Sequence, residues 1–246
     1  MCKLLSWTLS ACVLVAIMGF AAGGNYARAD EEPDFSLPGK GDFLVRLRGT
    51  YIIPEGGFDK INVAGIATFG NDAEISEQAI PEIDISYFIT DNFALEVPCC
   101  ITHHKLSASG TLAAAMPGLG LVGTEAATSY ILPATVLLQY HFRPTPRIKP
   151  YAGIGPALVM FVGEEVGSAL KPIATKVKGK TAFGFTTQLG VDVALGGNWS
   201  FNIDAKYMRV DFDATWTTPG VGTGKIKAKD IQLNPWLLSI GFGYHF

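Results

Sequence analysis

The last twelve residues of the chain alternate strictly. Trp236, Leu238, Ile240, Phe242, Tyr244 and Phe246 are interleaved with Pro235, Leu237, Ser239, Gly241, Gly243 and His245, and the chain stops on the aromatic. In lipid every backbone N–H and C=O must be satisfied within the protein, so only helices and closed sheets span a bilayer. A spanning strand needs about 9 to 11 residues with alternate side chains facing hydrocarbon. This segment meets both conditions. A half-buried strand of a soluble sandwich shares the period, but nothing in that setting calls for an aromatic terminus.

The N-terminus supports export. Lys3 precedes an apolar stretch over 11–22, and Ala27-Arg28-Ala29 forms a small-x-small site before Asp30. This pattern predicts a signal peptide, 1–29, cut after Ala29. The lipoprotein-like Leu9-Ser10-Ala11-Cys12 lies too early in the apolar core for that role. Of 19 Lys and Arg against 22 Asp and Glu, Lys3 and Arg28 leave with the signal, so the mature chain carries 17 against 22, a charge of −5. That balance offers no footprint for nucleic acid. No other apolar run approaches the roughly 20 residues of a spanning helix. Positive mean hydropathy, +0.27, must then be carried by alternation.

Eight alternating segments are predicted, at 42–53, 81–89, 93–101, 131–142, 151–162, 181–195, 199–212 and 235–246. The fold class is all-β, an eight-stranded antiparallel up-and-down transmembrane β-barrel over 42–246. Arg46, Arg48, Glu82, Asp84, Glu96, Gln139, His141, Gln188, Asp192, Asp204 and Lys206 take the inward parity. Cys99 should face lipid and Cys100 the lumen, since neighbours on a strand point apart. Short turns at 90–92, 143–149 and 196–198 alternate with four long connections, 54–80, 102–130, 163–180 and 213–229. In bacterial barrels the long ones face outside and the short ones the periplasm. Residues 30–41, acidic and with two prolines, read as an unstructured periplasmic lead-in.

Several short runs carry a resemblance. Gln188-Leu189-Gly190-Val191-Asp192, Asn198-Trp199, Lys206-Tyr207-Met208 with Asp211, Asn234-Pro235-Trp236 and the terminal Gly241-Phe242-Gly243-Tyr244-His245-Phe246 stand in an order that resembles the outer membrane protein W family. Leu132-Pro133-Ala134-Thr135 and Pro150-Tyr151-Ala152-Gly153-Ile154-Gly155 agree. The resemblance implies a narrow apolar channel that takes up small hydrophobic molecules and releases them sideways through the wall. Asn234 departs from the family pattern, in which Asp commonly precedes Pro-Trp.

The residues leave two readings of the interior. Phe88, Leu137, Ile154, Leu158, Met160 and Leu237 are predicted to point inward, either as an apolar ligand path or as a packed layer, because eight strands enclose little more than their own side chains. The resemblance favours the path. Pro98, Pro133 and Pro156 fall at similar heights on neighbouring strands, and each lacks a ladder donor. They mark either a weakened patch for lateral exit or bulges that shape the barrel.

Other functions have less support. His103, His104, Ser107 and Ser109 cluster at the top of the third strand, but spacing supplies no partner carboxylate, and adjacent histidines point apart, unsuited to one metal. No enzyme activity, metal or cofactor is expected. Lys171, Lys176, Lys178 and Lys180, with Lys225, Lys227 and Lys229, form two rim clusters, read as a solvated face meeting lipopolysaccharide or as part of a structural or adhesive barrel acting through its loops. The expected partners are outer-membrane lipid, lipopolysaccharide, a small hydrophobic solute, and the barrel assembly machinery acting on the strand that ends in Phe246.

Overall fold

The computed structural model describes residues 38–246 apart from 57, 64, 66, 70–72, 109–123, 144 and 169. The predicted signal peptide, its cleavage site and most of the lead-in lie outside the described residues, as does Ser109. The wall is made of eight staves. The first is β1 (Phe43–Ile53) continued by β2 (Phe58–Val63), and the second is β5 (Gln78–Phe88), preceded by the short β3 (Ala67–Phe69) and β4 (Ala73–Ile75). The third is β6 (Phe93–Cys99) with β7 (Thr102–Ala108), the fourth β8 (Thr124–Thr135) with β9 (Leu137–His141), the fifth β10 (Ile148–Val166). β11 (Lys176–Gly179) leads into β12 (Ala182–Gly196), β13 (Trp199–Arg209) into β14 (Asp211–Thr217), and β15 (Lys225–Gln232) into β16 (Trp236–His245).

Antiparallel pairing runs β1-β5-β6-β9-β10-β12-β13-β16 and returns to β1, so the ring closes. Closure removes the sheet edges that would otherwise template aggregation. The terminal strand makes that closure: Phe43 and Phe246 exchange both backbone bonds, each 2.9 Å. Outside, aliphatics such as Leu47, Ile85, Leu189 and Ile240 are exposed between two aromatic girdles. Phe93, Tyr140, Trp199 and Tyr244 belong to one at the turn end, and Tyr51, Tyr207 and Trp236 to the other. Trp236 to Tyr244 is roughly 26 Å of strand, which on tilting matches the about 25 Å apolar band of an outer-membrane barrel. The visible part of the lead-in is ordered against the turn end, where Lys40 N donates to Asp91 Oδ1 at 3.0 Å and Arg143 to the Pro38 carbonyl.

Strands also occupy much of the four predicted long connections. A second sheet, ordered β11-β14-β15-β2-β3, extends the staves beyond the apolar band. These stretches are too rich in Gly, Ala, Ser and Lys for spanning strands, which is why they are expected as loops; Lys225-Ile226-Lys227-Ala228-Lys229 nevertheless alternates. The period is still 2. Val177, Ala214, Trp216, Ile226, Ala228 and Ile231 turn inward and bury one another in an upper apolar core.

The joint between the two sheets sits at Asn234. Its φ of 31° is in the left-handed region, where Asn is among the few tolerated side chains, and its Oδ1 accepts from Val210 N at 2.9 Å. Asn234→Ala should cost roughly 1–3 kcal/mol through strain and a lost acceptor, whereas Asn234→Asp, the residue common in the family at this point, keeps the acceptor and should be near neutral. Urea midpoints of the folded barrel read both.

Candidate functional site

Three features stack inside the barrel: an ionic floor, an apolar chamber above it, and an interrupted seam in the wall beside both.

The floor is built by inward residues from almost every stave. The Arg46 guanidinium grips Asp192 in two-pronged fashion, Nη2 to Oδ2 at 2.8 Å and Nε to Oδ1 at 3.1 Å, and reaches Glu96 with Nη1 at 2.9 Å. Arg48 meets Asp84 at 2.5 Å and Glu82 at 3.1 Å. Lys206 Nζ lies 2.7 Å from Glu82, with Asp84, Asp204 and Glu96 within 3.8 Å. Gln188 bridges Glu96 and Asp204 with bonds of 2.9 and 2.8 Å, and the Tyr151 hydroxyl donates to Asp204 at 2.8 Å. β1 to β12, β5 to β13 and β6 to β12 are each three staves apart around the ring, so these contacts cross the lumen and close it at this level. Glycine makes room for them: a Cβ on Gly190 would fall 2.3 Å from the Tyr151 ring.

This floor corrects the expected apolar channel. Phe88, Leu137 and Leu237 are buried as predicted, yet Phe88 packs with Leu44 and Ala94 at the turn end, and Leu137 and Leu237 stand opposite Glu96 and Lys206. Ile154 is 58 % exposed on the outer face, and Leu158 and Met160 share its parity, half-buried. The parity of β10 is set by Tyr151, whose aromatic body suggests lipid but whose hydroxyl and ring are claimed by the floor: it stacks on His141 at 5.0 Å and lies 5.0 Å below the Arg46 guanidinium. The six residues therefore do not line one path.

Above the floor Ile131, Ala157, Val159, Ala182, Met208, Val210 and Leu233 form an apolar layer. It continues into a chamber of about 50 Å³ bounded by Ile75, Leu106, Phe161, Phe212 and Trp216, with Ile131 at its lower edge. Trp216 can be buried here because its Nε1 donates to the Ala126 carbonyl at 3.1 Å. Ile75, Leu106 and Trp216 of its wall lie in segments expected as loops, so the chamber is not legible in the sequence.

The seam lies between the third and fourth staves. Glu96 pairs with Leu137, and six residues further along each strand Thr102 pairs with Ile131, so the register is unchanged. Between these points 97–101 and 132–136 make no ladder pair with each other, while 97–99 stay paired to β5 and 132–135 to β10 on their far sides. Pro98 and Pro133 both fall in the gap. Pro156 does not; it pairs with Phe185 in β12, while its carbonyl accepts a stretched 3.4 Å bond from Val136 at the end of the gap. β10 approaches there so closely that a Cβ on Gly155 would meet the Val136 oxygen at 1.8 Å. Cys99 is exposed and Cys100 buried beside the seam.

The histidines do not assemble a catalytic group. His104 points inward with Nδ1 2.7 Å from the Ser76 carbonyl, and His103 points outward 4.7 Å from the Tyr130 ring. Ser107 pairs with Glu125 in the rim ladder.

Known proteins share this architecture. Outer-membrane protein y4mB of Sinorhizobium fredii is 30% identical over 234 residues, covering 92% of each chain, and outer membrane protein AlkL of Ectopseudomonas oleovorans is 28% identical over 94% of this chain and 95% of its own. The crystal structure of OprG from Pseudomonas aeruginosa superposes with a TM-score of 0.75 at 26% identity, covering 85% of this chain and 98% of that one. The model of the OmpW family matches residues 39–246. The closed ring of eight staves, the girdled apolar wall and this match agree, and the chain belongs to the OmpW family of bacterial outer-membrane β-barrels, which are not enzymes.

Proposed function

We propose that this barrel passes small hydrophobic molecules passively from outside the cell into the outer membrane. In this reading the short turns lie in the periplasm and the second sheet outside, the barrel assembly machinery inserts the chain through the strand ending in Phe246, and outer-membrane lipid and lipopolysaccharide surround the wall. A solute leaves water for the apolar chamber, meets the ionic floor, where an apolar group would displace buried charge pairs at prohibitive cost, and moves sideways. The observation that carries the reading is the run without ladder pairs, 97–101 against 132–136, directly beside the chamber through Ile131. The ladder between β1 and β5, by contrast, runs unbroken from Phe43 to Ile52, and its hydrogen bonds resist opening. At the gap two prolines withhold donors and the strands part at lower cost.

Replacing Pro98, Pro133 and Pro156 together by Val tests it in cells given a radiolabelled aliphatic hydrocarbon. Restored donors should close the seam and lower uptake towards that of cells lacking the protein. Uptake equal to the parent's would sink the lateral exit.

A further inference from the structure

The two lysine runs, far apart in sequence, form one surface. β14 lies between β11 and β15, and the registers set Thr217 between Lys176 and Lys225, and Thr215 between Lys178 and Lys227. Residues opposite one another across strands share a face. Four ammonium groups thus stand in two rows around two hydroxyls, with the lysines of a row roughly 10 Å apart and the rows roughly 7 Å apart. Val177, Trp216 and Ile226 are buried on the reverse side, which pins the lysines outward.

The surface has a defined height and sign. Lys180 continues it towards the lipid band, three residues, or roughly 10 Å, beyond the exposed Phe183. On that lower margin Asp213 is engaged: Lys180 Nζ contacts it at 2.8 Å, and that bond holds its carboxyl below the usual carboxylate range. The two upper rows, Lys176-Thr217-Lys225 and Lys178-Thr215-Lys227-Asn62, contain no carboxylate. A mature chain that is acidic overall has gathered four lysines on one patch at the edge of its lipid-facing wall, and among the described residues none of the four is held in a salt bridge. Its complement is an array of anions held in the same plane.

We propose that Lys176, Lys178, Lys225 and Lys227, with the Thr215 and Thr217 hydroxyls, bind the phosphate groups of anionic glycolipid headgroups packed against the barrel, lipopolysaccharide in the outer leaflet. Its cellular setting rests on the outward placement of the second sheet proposed above, but the chemistry does not. The test is therefore made in detergent solution, with full-length protein titrated with bisphosphorylated lipid A. Lys176→Gln, Lys178→Gln, Lys225→Gln and Lys227→Gln combined should weaken binding at least about tenfold, given the contribution of each lysine at an anionic surface. The same four positions as Arg, and Lys171→Gln alone, should bind as the parent does. If the combined variant fails to fold, Lys178→Gln with Lys227→Gln should still lose at least about threefold. Parent-like affinity in the folded Gln variant overturns the proposal. So does displacement of lipid A by an equal concentration of inorganic phosphate, which would make the patch a free-phosphate site. None of these readouts depends on hydrocarbon uptake, so either reading can fail without the other.

Discussion

Arg46→Ala is expected to destabilise the barrel by about 3–5 kcal/mol, because removing one partner of a buried ion pair strands the other. Asp192 would lose both prongs of its guanidinium and Glu96 its 2.9 Å partner, while Tyr151 loses the cation over its ring. The floor already holds five carboxylates, Glu82, Asp84, Glu96, Asp192 and Asp204, against Arg46, Arg48 and Lys206. Arg48 and Lys206 are already engaged by Glu82, Asp84 and Asp204, so they cannot turn to Asp192 without leaving those acids. Arg46→Lys restores charge but not the two-pronged geometry, and should recover only part of the loss. The urea midpoint of the folded band on unheated gels measures both variants. A shift in Arg46→Ala equivalent to less than about 1 kcal/mol, the scale of a solvent-exposed pair, would mean that water, and not Arg46, satisfies these acids.

The second large effect concerns the seam. Val97 and Val136 face each other across the gap if the register on either side continues through it, and both are exposed on the lipid side. Val97→Cys with Val136→Cys, in a Cys99→Ser and Cys100→Ser background, brings two thiols within disulfide reach after small movements. Oxidation should abolish hydrocarbon uptake, and reduction should restore it. Leu95→Cys with Leu138→Cys supplies the control, since those positions are already ladder partners below the gap and locking them changes nothing that needs to move. Full uptake through the oxidised Val97–Val136 pair would remove the seam from the route.

Much of this was legible in the residues because a membrane enforces parity. On β1, β5, β6, β12, β13 and β16 the lipid-facing side chains are those that alternation selected, and the terminal strand pairs with β1 as expected. β10 failed where parity was ambiguous: Tyr151 satisfies either face until a partner for its hydroxyl is known, and Asp204 lies 53 residues away. The floor residues were each read as inward, but which acid meets which base depends on the stagger between staves that are not neighbours, and no local pattern encodes that. The prolines were visible as a group. That Pro98 and Pro133 lie within one open ladder while Pro156 borders it follows only from the registers on both sides. The second sheet was missed for a different reason, since its outer face meets water and carries lysine where a membrane strand would carry leucine.

The crossed ion pairs of the floor bear on the envelope as well as on the barrel. A Gram-negative cell survives detergents and hydrophilic antibiotics because its outer leaflet is a permeability barrier, and every aqueous pore added for nutrition weakens it. A stave ring stoppered by Arg46, Arg48, Lys206 and their acids adds no such hole. The cell can carry many copies of such a barrel without becoming leakier to polar drugs.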